Sequence, residues 1–258
     1  MKNNIISVEL IGPSEKNYGL CNQLFQIASA VSYAKDHQFL ATFPCLKEAR
    51  LGGYINNFLR NVNTEDCPVP PMYYKEPEFH YSQIPAIPGS FCIRESYLQS
   101  EKYFSHNRDT ILELYDPSKE DISYLTEKYD LTIPTTSLHV RRQDYLDYSE
   151  YHTNIMETDY YDKALDALKP ESVLVFSDDP GWARKAFPTC TVAEEKDYLE
   201  LYLMSLCDNN IIANSSFSWW GAWLNKNPEK KVVAPKNWFG DKHPYSTKDL
   251  IPSDWIVL

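Results

Sequence analysis

Short apolar runs alternate with amphipathic stretches along most of the chain. In the first half, the run from Ile5 to Ile11 predicts a buried strand. A helix is predicted from Leu20 to about Asp36, because its apolar positions recur at helical spacing. The same patterns predict strands at Gln38 to Phe43 and Phe91 to Arg94, and helices at Asn107 to Leu114 and Lys119 to Lys128.

The alternation of strand and helix patterns is most regular after Thr135. Strands are predicted at Ser137–Val140, Ser172–Phe176, Thr189–Val192, Asn210–Ala213 and Lys231–Ala234, and helices at Asp159–Leu168, Asp197–Cys207 and Trp219–Asn225. Such alternation indicates an α/β protein with parallel sheets and right-handed crossovers. The closing segment, through Trp238 and Trp255, is predicted to pack its aromatic rings back on the body.

The stretch from Pro44 to Pro88 breaks the pattern, because prolines recur along it and interrupt any period. Its aromatic residues argue against disorder. Irregular segments of this length in compact proteins are typically functional loops. We therefore predict a packed, irregular surface near an acceptor site.

Composition and charge exclude several classes of partner. The 258 residues carry a net charge of -11, which argues against nucleic acid or an anionic membrane surface. No apolar run approaches the length of a membrane span. The six cysteines show no C-x-x-C pair and the six histidines are scattered, so we expect reduced thiols, a cytoplasmic location and no metal site.

The most informative polar stretch follows the predicted strand that ends at Val140. Arg141 and Arg142 stand together there, followed by Asp144. Guanidinium groups cannot lose their charge, so an unpaired pair is hard to explain as core. Their planar forks suit phosphate oxygens, and open α/β sheets bind ligands at the carboxyl ends of their strands. The pair therefore predicts a phosphate site.

Two further strand ends carry residues with complementary chemistry. Ser215 and Ser216, at a predicted helix start, can donate hydrogen bonds to phosphate oxygens. Asp178 or Asp179 can accept hydrogen bonds from the N–H groups of guanine. Because the strands are predicted to be parallel, all three ends should converge at one edge of the sheet.

Structural explanations of the same residues remain open at this point. The segments Ser177–Asp179 and Asn214–Ser216 are both suited to helix capping. Arg141 and Asp144 are suited to a structural ion pair, and the tryptophans of the last predicted helix are more often core than ligand platforms. The joint occurrence at three strand ends favours a site.

A second candidate lies at the first strand-to-helix turn. Gly19 precedes the predicted helix, and this layout places backbone N–H groups near an anion. Asn22 and Gln23 at the helix start carry amides that can cap the helix or reach a ligand.

Four segments together resemble the α-1,2-fucosyltransferases of glycosyltransferase family 11. They are Gly19–Gln26 (GLCNQLFQ), His139–Tyr145 (HVRRQDY), Phe176–Asp179 (FSDD) and Asn214–Leu224 (NSSFSWWGAWL), and the correspondence extends to Trp255. The resemblance implies a GT-B-type fold with two Rossmann-like lobes, which we place at 1–130 on the acceptor side and 131–258 on the GDP-sugar side. With no membrane anchor in the sequence, the chain resembles the soluble bacterial or viral members.

The resemblance also implies roles for individual residues. Arg141 and Arg142 would hold the donor diphosphate, with Arg141 stabilising the charge that grows on the leaving phosphate. Asp144 is a candidate base or an orienting group, and Asn22 would position the attacking hydroxyl or the fucose. The remaining predicted substrate-binding residues are Gly19, Gln23, His139, Asp178, Asp179, Asn214, Ser215, Ser216 and Phe217.

The function implied is inverting transfer of L-fucose from GDP-β-L-fucose to the 2-hydroxyl of a galactoside in a glycan, with no metal or other cofactor. Two positions depart from the family pattern, because Cys21 and Gln143 replace glycines. Two alternatives therefore stay open: a transferase for another GDP-sugar or linkage, and an inactive protein that binds GDP-sugar or glycan.

Overall fold

The computed structural model describes residues 4–10, 19–47, 49–147 and 150–258, without the side chains of residues 49, 50, 144 and 147. The chain divides into two units. The first unit comprises Met1–Asp116 with Tyr245–Pro252, and the second comprises Pro117–Pro244 with Ser253–Leu258.

The first unit contains a four-stranded parallel sheet in the order β2-β1-β4-β3. Its strands are β1 (Ile5–Val8), β2 (Leu40–Ala41), β3 (Met72–Tyr74) and β4 (Phe91–Ile93). The long helix α1 (Leu20–His37) buries most of its residues, which agrees with the apolar period of the sequence. It ends where Gln38 adopts a left-handed conformation and donates its backbone N–H to Ala34 O.

The irregular stretch of the first unit is ordered by short elements that the sequence did not predict. Two 3₁₀ helices lie at Pro44–Lys47 and Ala49–Tyr54, and β3 adds an edge strand to the sheet. A three-residue strand has too few positions to show a period. The prolines around β3 also interrupt the pattern of the sequence, so the strand was not predicted. Further short helices follow at Glu101–Tyr103, Ser105–Asn107 and α2 (Arg108–Leu114).

The second unit contains a six-stranded parallel sheet in the order β10-β9-β8-β5-β6-β7. The strands are β5 (Thr135–Val140), β6 (Ser172–Ser177), β7 (Thr191–Val192), β8 (Asn209–Ile211), β9 (Val232–Ala234) and β10 (Ile256–Val257). All six residues of β5 are buried, as expected for a central parallel strand covered on both faces. The predicted α/β fold class is confirmed.

The helices of the second unit are α3 (Lys119–Lys128), α4 (Gln143–Asp147), α5 (Tyr160–Leu168), α6 (Pro180–Ala186), α7 (Asp197–Leu206) and α8 (Ser216–Leu224), with a 3₁₀ turn at Ile155–Glu157. The helices α3, α5, α7 and α8 were predicted. The sequence predicted no helix at α4, and it indicated α6 only through the capping residues Ser177–Asp179. Helix α8 begins three residues before its predicted start at Trp219, because Ser215 caps it. Strand β10 was not predicted. Trp255, just before it, is buried and its ring contacts Trp219, as predicted for the closing segment.

The boundary between the units differs from the predicted one after residue 130. It lies between Asp116 and Pro117, because α3 packs against α7 and so belongs to the second unit. The segment Tyr245–Pro252 also returns to the first unit, which no local sequence pattern indicates.

The tryptophans of α8 are core residues, as the sequence favoured. Trp219, Trp220 and Trp223 are at most 2% exposed. Helix α8 packs closely on α7, where a Cβ added at Gly221 would lie 2.8 Å from Cβ of Met204. This close approach requires glycine.

The six cysteines, expected to be reduced, are free thiols. Among the described residues, no helix is both long enough and apolar enough to cross a membrane.

Candidate functional site

The carboxyl ends of β5 and β6 bring two arginines and two aspartates together. The strands pair in parallel with Val140 opposite Ser177, so the residues that follow are neighbours. Arg141 Nη1 lies 3.3 Å from Asp178 Oδ2, and Arg142 Nε lies 3.6 Å from Asp179 Oδ2. Each guanidinium therefore has a carboxylate partner in the segment that follows the adjacent strand.

Asp178 and Asp179 also have backbone partners. Asp178 Oδ1 accepts a 2.9 Å hydrogen bond from the backbone N–H of Arg142. Asp179 caps α6, accepting a 3.0 Å hydrogen bond from the backbone N–H of Trp182. The helix cap considered for the Ser177–Asp179 segment is therefore present, and Arg141 pairs with Asp178. The guanine-reading role of these aspartates stays a prediction.

Aromatic rings support both guanidinium groups. The guanidinium carbon of Arg142 lies 4.0 Å from the ring centroid of Trp182, and that of Arg141 lies 5.5 Å from the ring centroid of Tyr145. The Tyr145 hydroxyl donates a 2.9 Å hydrogen bond to Asn214 O, on the loop after β8. The arginines are thus held by rings as well as by carboxylates, which restricts their rotamers before any ligand arrives.

Gln143 links the same two strand ends. Its side-chain Nε2 donates a hydrogen bond to the backbone carbonyl of Asp178. A glycine at this position, as in the family pattern, has no side chain to make this contact. The departure at Gln143 therefore adds a bridge between the loops after β5 and β6.

The loop after β8 supplies a helix N-terminus. Ser215 Oγ accepts a 3.3 Å hydrogen bond from the backbone N–H of Phe217 and caps α8. The Asn214 amide donates 2.9 Å hydrogen bonds to Thr153 O and Trp238 O, while its buried Oδ1 has no hydrogen-bond partner among the described residues. Ser216, at the first position of α8, is partly exposed. The capping explanation is correct for Ser215, and the helix N-terminus adds a positive electrostatic contribution.

His139 lies at the end of β5 and is 4% exposed. Burial, reinforced by the Arg141 charge, lowers its pKa to about 3, so the ring is neutral at physiological pH. Its Nδ1 has no hydrogen-bond partner among the described residues, and its ring centroid lies 5.4 Å from that of Phe217. Two of the predicted substrate-binding residues are therefore in contact here.

Gly19, Asn22 and Gln23 all lie in the first unit, at the start of α1. Gly19 has an extended backbone with φ of -68°, and a Cβ added there would meet nothing within 4 Å. Asn22 Oδ1 accepts a 3.0 Å hydrogen bond from Gln99 Nε2, and Gln23 is fully buried. The backbone conformation of Gly19 is therefore one that any residue can adopt.

The candidate base Asp144 lies on α4, followed by two further acidic residues of the same stretch, Asp147 and Glu150. The side chains of Asp144 and Asp147 are outside the described part of the structure. Glu150 is exposed and pairs with Lys242 at 2.6 Å. Within the described ranges, no three His, Cys, Asp or Glu side chains are grouped as metal ligands. The absence of a metal requirement stays a prediction.

Sequence reasoning did not assign Trp182 or Tyr145 to the site. Trp182 follows Pro180 in the first turn of α6, where its ring contacts the guanidinium of Arg142. The signal available was an aromatic residue in the first turn of a helix that begins directly after the aspartate pair.

The sequence profile described as Glycosyl transferase family 11 matches residues 14–258. The chain belongs to this family. The predicted family is thereby confirmed, and the motif positions described above all lie within the match.

Curated relatives carry three related names. The chain is 35% identical over 192 residues to the O-antigen biosynthesis glycosyltransferase WbnK of Escherichia coli, covering 67% of this chain and 62% of that protein. It is 30% identical to an alpha-1,2-colitosyltransferase of the same organism, covering 63% and 61%. The chain therefore spans about three fifths of the length of these two relatives. A galactoside 2-alpha-L-fucosyltransferase of Caenorhabditis elegans is 25% identical, covering 93% and 77%.

Solved fucosyltransferases share the fold. The fucosyltransferase NodZ from Bradyrhizobium is 14% identical with a TM-score of 0.55, and the match covers 86% of this chain and 93% of that one. The predicted GT-B-type fold is confirmed by this likeness.

Proposed function

We propose that the protein transfers L-fucose from GDP-β-L-fucose to the 2-hydroxyl of a galactoside in a glycan, with inversion and without a metal. The observation that carries the proposal is the arginine pair at the carboxyl end of β5, which pairs with Asp178 and Asp179 at the end of the adjacent strand β6. Membership of glycosyl transferase family 11 supports a transferase. The name of the C. elegans relative supports the sugar, the acceptor and the linkage.

In the proposed reaction, the bond between the fucose anomeric carbon and the β-phosphate breaks, and GDP leaves with the electron pair. Negative charge grows on the β-phosphate as the sugar develops oxocarbenium character. Arg141 and Arg142 are the positive groups of the site, and the N-terminus of α8 adds backbone N–H donors. Because their partners already orient the guanidiniums, stabilising the leaving charge requires little reorganisation.

The acceptor hydroxyl attacks the opposite face of the anomeric carbon and loses its proton. Asp144 is the candidate base nearest in sequence to the arginines. Asn22 carries an amide and can only position the hydroxyl or the sugar. A strongly dissociative path requires little help from a base, so we assign the larger share of catalysis to charge stabilisation at Arg141.

A second candidate is transfer of a different deoxy sugar from its GDP derivative. It is favoured by the alpha-1,2-colitosyltransferase of E. coli, which is 30% identical to this chain. An inactive binding protein is the third candidate, because Cys21 and Gln143 stand where the family pattern has glycine.

The test is incubation of the protein with a panel of galactosides and either GDP-fucose or GDP-colitose as donor, followed by NMR linkage analysis of the product. Acceptor-dependent GDP release with an α-1,2-linked fucoside supports the proposal. Turnover of GDP-colitose alone would favour the second candidate. Thermal stabilisation by GDP without release from either donor would identify a binding protein and overturn the proposal.

A further inference from the structure

The first unit has a cavity of about 950 Å³ at the carboxyl edge of its own sheet. Its walls come from the segments that follow three neighbouring parallel strands: Glu9 and Leu10 after β1, Lys75 to Phe79 after β3, and Glu95 and Tyr97 after β4. Ligands of α/β proteins bind at this edge, and the volume lies within the range of small-molecule sites.

Three aromatic rings form one wall of this cavity. Phe79 and Tyr245 stack face to face, with centroids 4.7 Å apart and an interplanar angle of 4°. Tyr97 lies 5.8 Å from Phe79 and 6.0 Å from Tyr245. Tyr245 is 41% exposed although one face packs on Phe79. An aromatic wall that contains two tyrosines suits the mixed apolar and polar surface of a sugar ring.

Glu76 fixes the shape of the cavity. Its carboxylate is 7% exposed and accepts hydrogen bonds from the backbone N–H groups of Tyr97 and Leu98, both at 3.0 Å, and from the Tyr103 hydroxyl at 3.1 Å. Its own backbone N–H donates to Ser96 Oγ at 2.7 Å. These bonds tie the segment after β3 to the segment after β4, so Glu76 is a positioning residue.

The backbone after β4 is strained where it borders the cavity. Glu95 and Leu98 have φ values of 44° and 52°, in the left-handed region that residues with a side chain rarely adopt. Such strain persists only when the surroundings impose it, and it clusters at functional sites. The two strained residues lie on either side of Tyr97, whose ring is part of the aromatic wall.

The cavity lining has more carboxyl groups than cations. It contains Glu9, Glu76, Glu78 and Glu95 against a single lysine, Lys75. Lys75 pairs with Glu95, and Arg94, outside the lining, lies 3.4 Å from Glu9. Glu76 is buried, which raises its pKa to about 7, so the exposed Glu78 carries most of the unbalanced negative charge. Carboxylates accept hydrogen bonds from sugar hydroxyls, whereas they repel ligands that carry carboxylate or sulfate groups. The donor diphosphate is therefore unsuited to this cavity.

We propose that the cavity binds an uncharged saccharide of the glycan acceptor, stacked on Tyr245, and discriminates against acidic saccharides. The assignment to the acceptor rests on the function proposed above. The saccharide binding itself rests on the aromatic wall, the carboxylates and their place at the strand ends.

The test is saturation-transfer NMR titration of the full chain with lactose, N-acetyllactosamine and lacto-N-biose, and with 3′-sialyllactose as the acidic probe. We expect binding of at least one neutral disaccharide, and weaker binding of 3′-sialyllactose than of lactose. Tyr245→Ala should weaken neutral binding roughly tenfold. Glu78→Gln should reduce the discrimination against 3′-sialyllactose, because one repelling charge is removed.

Tyr73→Ala is the matched control, since Tyr73 is an exposed tyrosine of the first unit that does not line the cavity. Equal binding by the Tyr245 and Tyr73 variants would overturn the proposal. Tighter binding of 3′-sialyllactose than of lactose would overturn it as well, as would the absence of a saturation-transfer signal for every neutral disaccharide. Fucose transfer by the wild type is scored separately. Its absence alongside Tyr245-dependent binding would overturn the proposed function and leave the cavity as a saccharide site.

Discussion

The backbone N–H of Arg142 donates a 2.9 Å hydrogen bond to Oδ1 of Asp178, while Oδ2 of the same carboxylate lies 3.3 Å from Nη1 of Arg141. One carboxylate directly after β6 thus contacts both residues of the arginine pair that follows β5. The Asp178 side chain is 14% exposed, so these contacts are partly shielded from water. The arginines have a defined direction before a ligand binds, which would lower the entropic cost of binding the diphosphate of the proposed donor.

Asp178→Ala should destabilise the protein by about 1–3 kcal/mol, because the backbone N–H of Arg142 loses its acceptor. Asp178→Asn keeps an amide oxygen at that position and should cost less. Urea unfolding of the three proteins measures the difference. If Asp178→Asn loses as much free energy of unfolding as Asp178→Ala, the stabilisation comes from the charge of Asp178 and not from the hydrogen bond to the backbone N–H of Arg142.

Arg141→Ala should lower the turnover of GDP-fucose by two to three powers of ten, equivalent to about 3–4 kcal/mol in the barrier. Arg141→Lys should recover only part of this, since an ammonium lacks the planar fork. Steady-state kinetics with saturating acceptor provide the measurement. Arg184→Ala is the control, because Arg184 is an exposed arginine on α6 that pairs with Glu194. Turnover near wild type in Arg141→Ala would remove the role proposed for this residue.

The regular elements were predictable where the period was long enough to read. Helix α1 and strand β5 were predicted close to their observed bounds, because each carries an apolar pattern over several residues. Strands β3 and β10 contain three and two residues, and their pairing depends on partners distant in sequence. The return of Tyr245–Pro252 to the first unit likewise depends on tertiary packing.

The candidate site was predictable at the level of strand ends. The parallel sheet brings the segments after β5 and β6 together as expected, because strand register places Val140 beside Ser177. The individual pairings were not predictable. Whether Arg141 contacts Asp178 or Asp144 depends on side-chain directions, and the stacking of Trp182 on Arg142 depends on the angle at which α6 leaves the sheet.

Gly221→Ala should destabilise the second unit by about 1–3 kcal/mol, the usual cost of overpacking a close-packed interface. The added Cβ would lie 2.7 Å from Sδ and 2.8 Å from Cβ of Met204, and the latter atom cannot rotate away. Gly53→Ala is the matched control, because a Cβ there meets nothing within 4 Å. Chemical unfolding of both variants gives the comparison. Adding Met204→Ala to Gly221→Ala should recover part of the loss, and strict additivity would contradict this contact.

His139 should make the protein less stable in acid. Its pKa is lowered to about 3 by burial and the Arg141 charge, from an ordinary value of 6.5. A depressed pKa means that the unfolded chain binds the proton first, so stability is full above pH 6.5 and falls as the pH drops toward 3. The slope approaches about 1.4 kcal/mol per pH unit.

The measurement is the free energy of unfolding of wild type and His139→Gln between pH 7 and pH 4.5. The wild type should lose stability relative to the variant as the pH falls. His37→Gln, an exposed histidine at the end of α1, should follow the wild type. A constant difference between wild type and His139→Gln across this range would contradict a neutral, buried ring.

Glu76 should produce the opposite pH dependence, in the first unit. Burial raises its pKa from 4.5 to about 7, although hydrogen bonds from Leu98, Tyr103 and Tyr97 act in the other direction. A raised pKa gives stability that is full below pH 4.5 and is lost as the pH rises through about 7. The change is on the order of 3 kcal/mol.

Glu76→Gln keeps an oxygen acceptor for the two backbone N–H groups and has no proton to lose. Its free energy of unfolding should therefore rise relative to wild type between pH 4.5 and pH 7, whereas the exposed Glu78→Gln variant should follow the wild type. A difference that stays flat across this window would show that the three hydrogen bonds, and not burial, control the charge of Glu76.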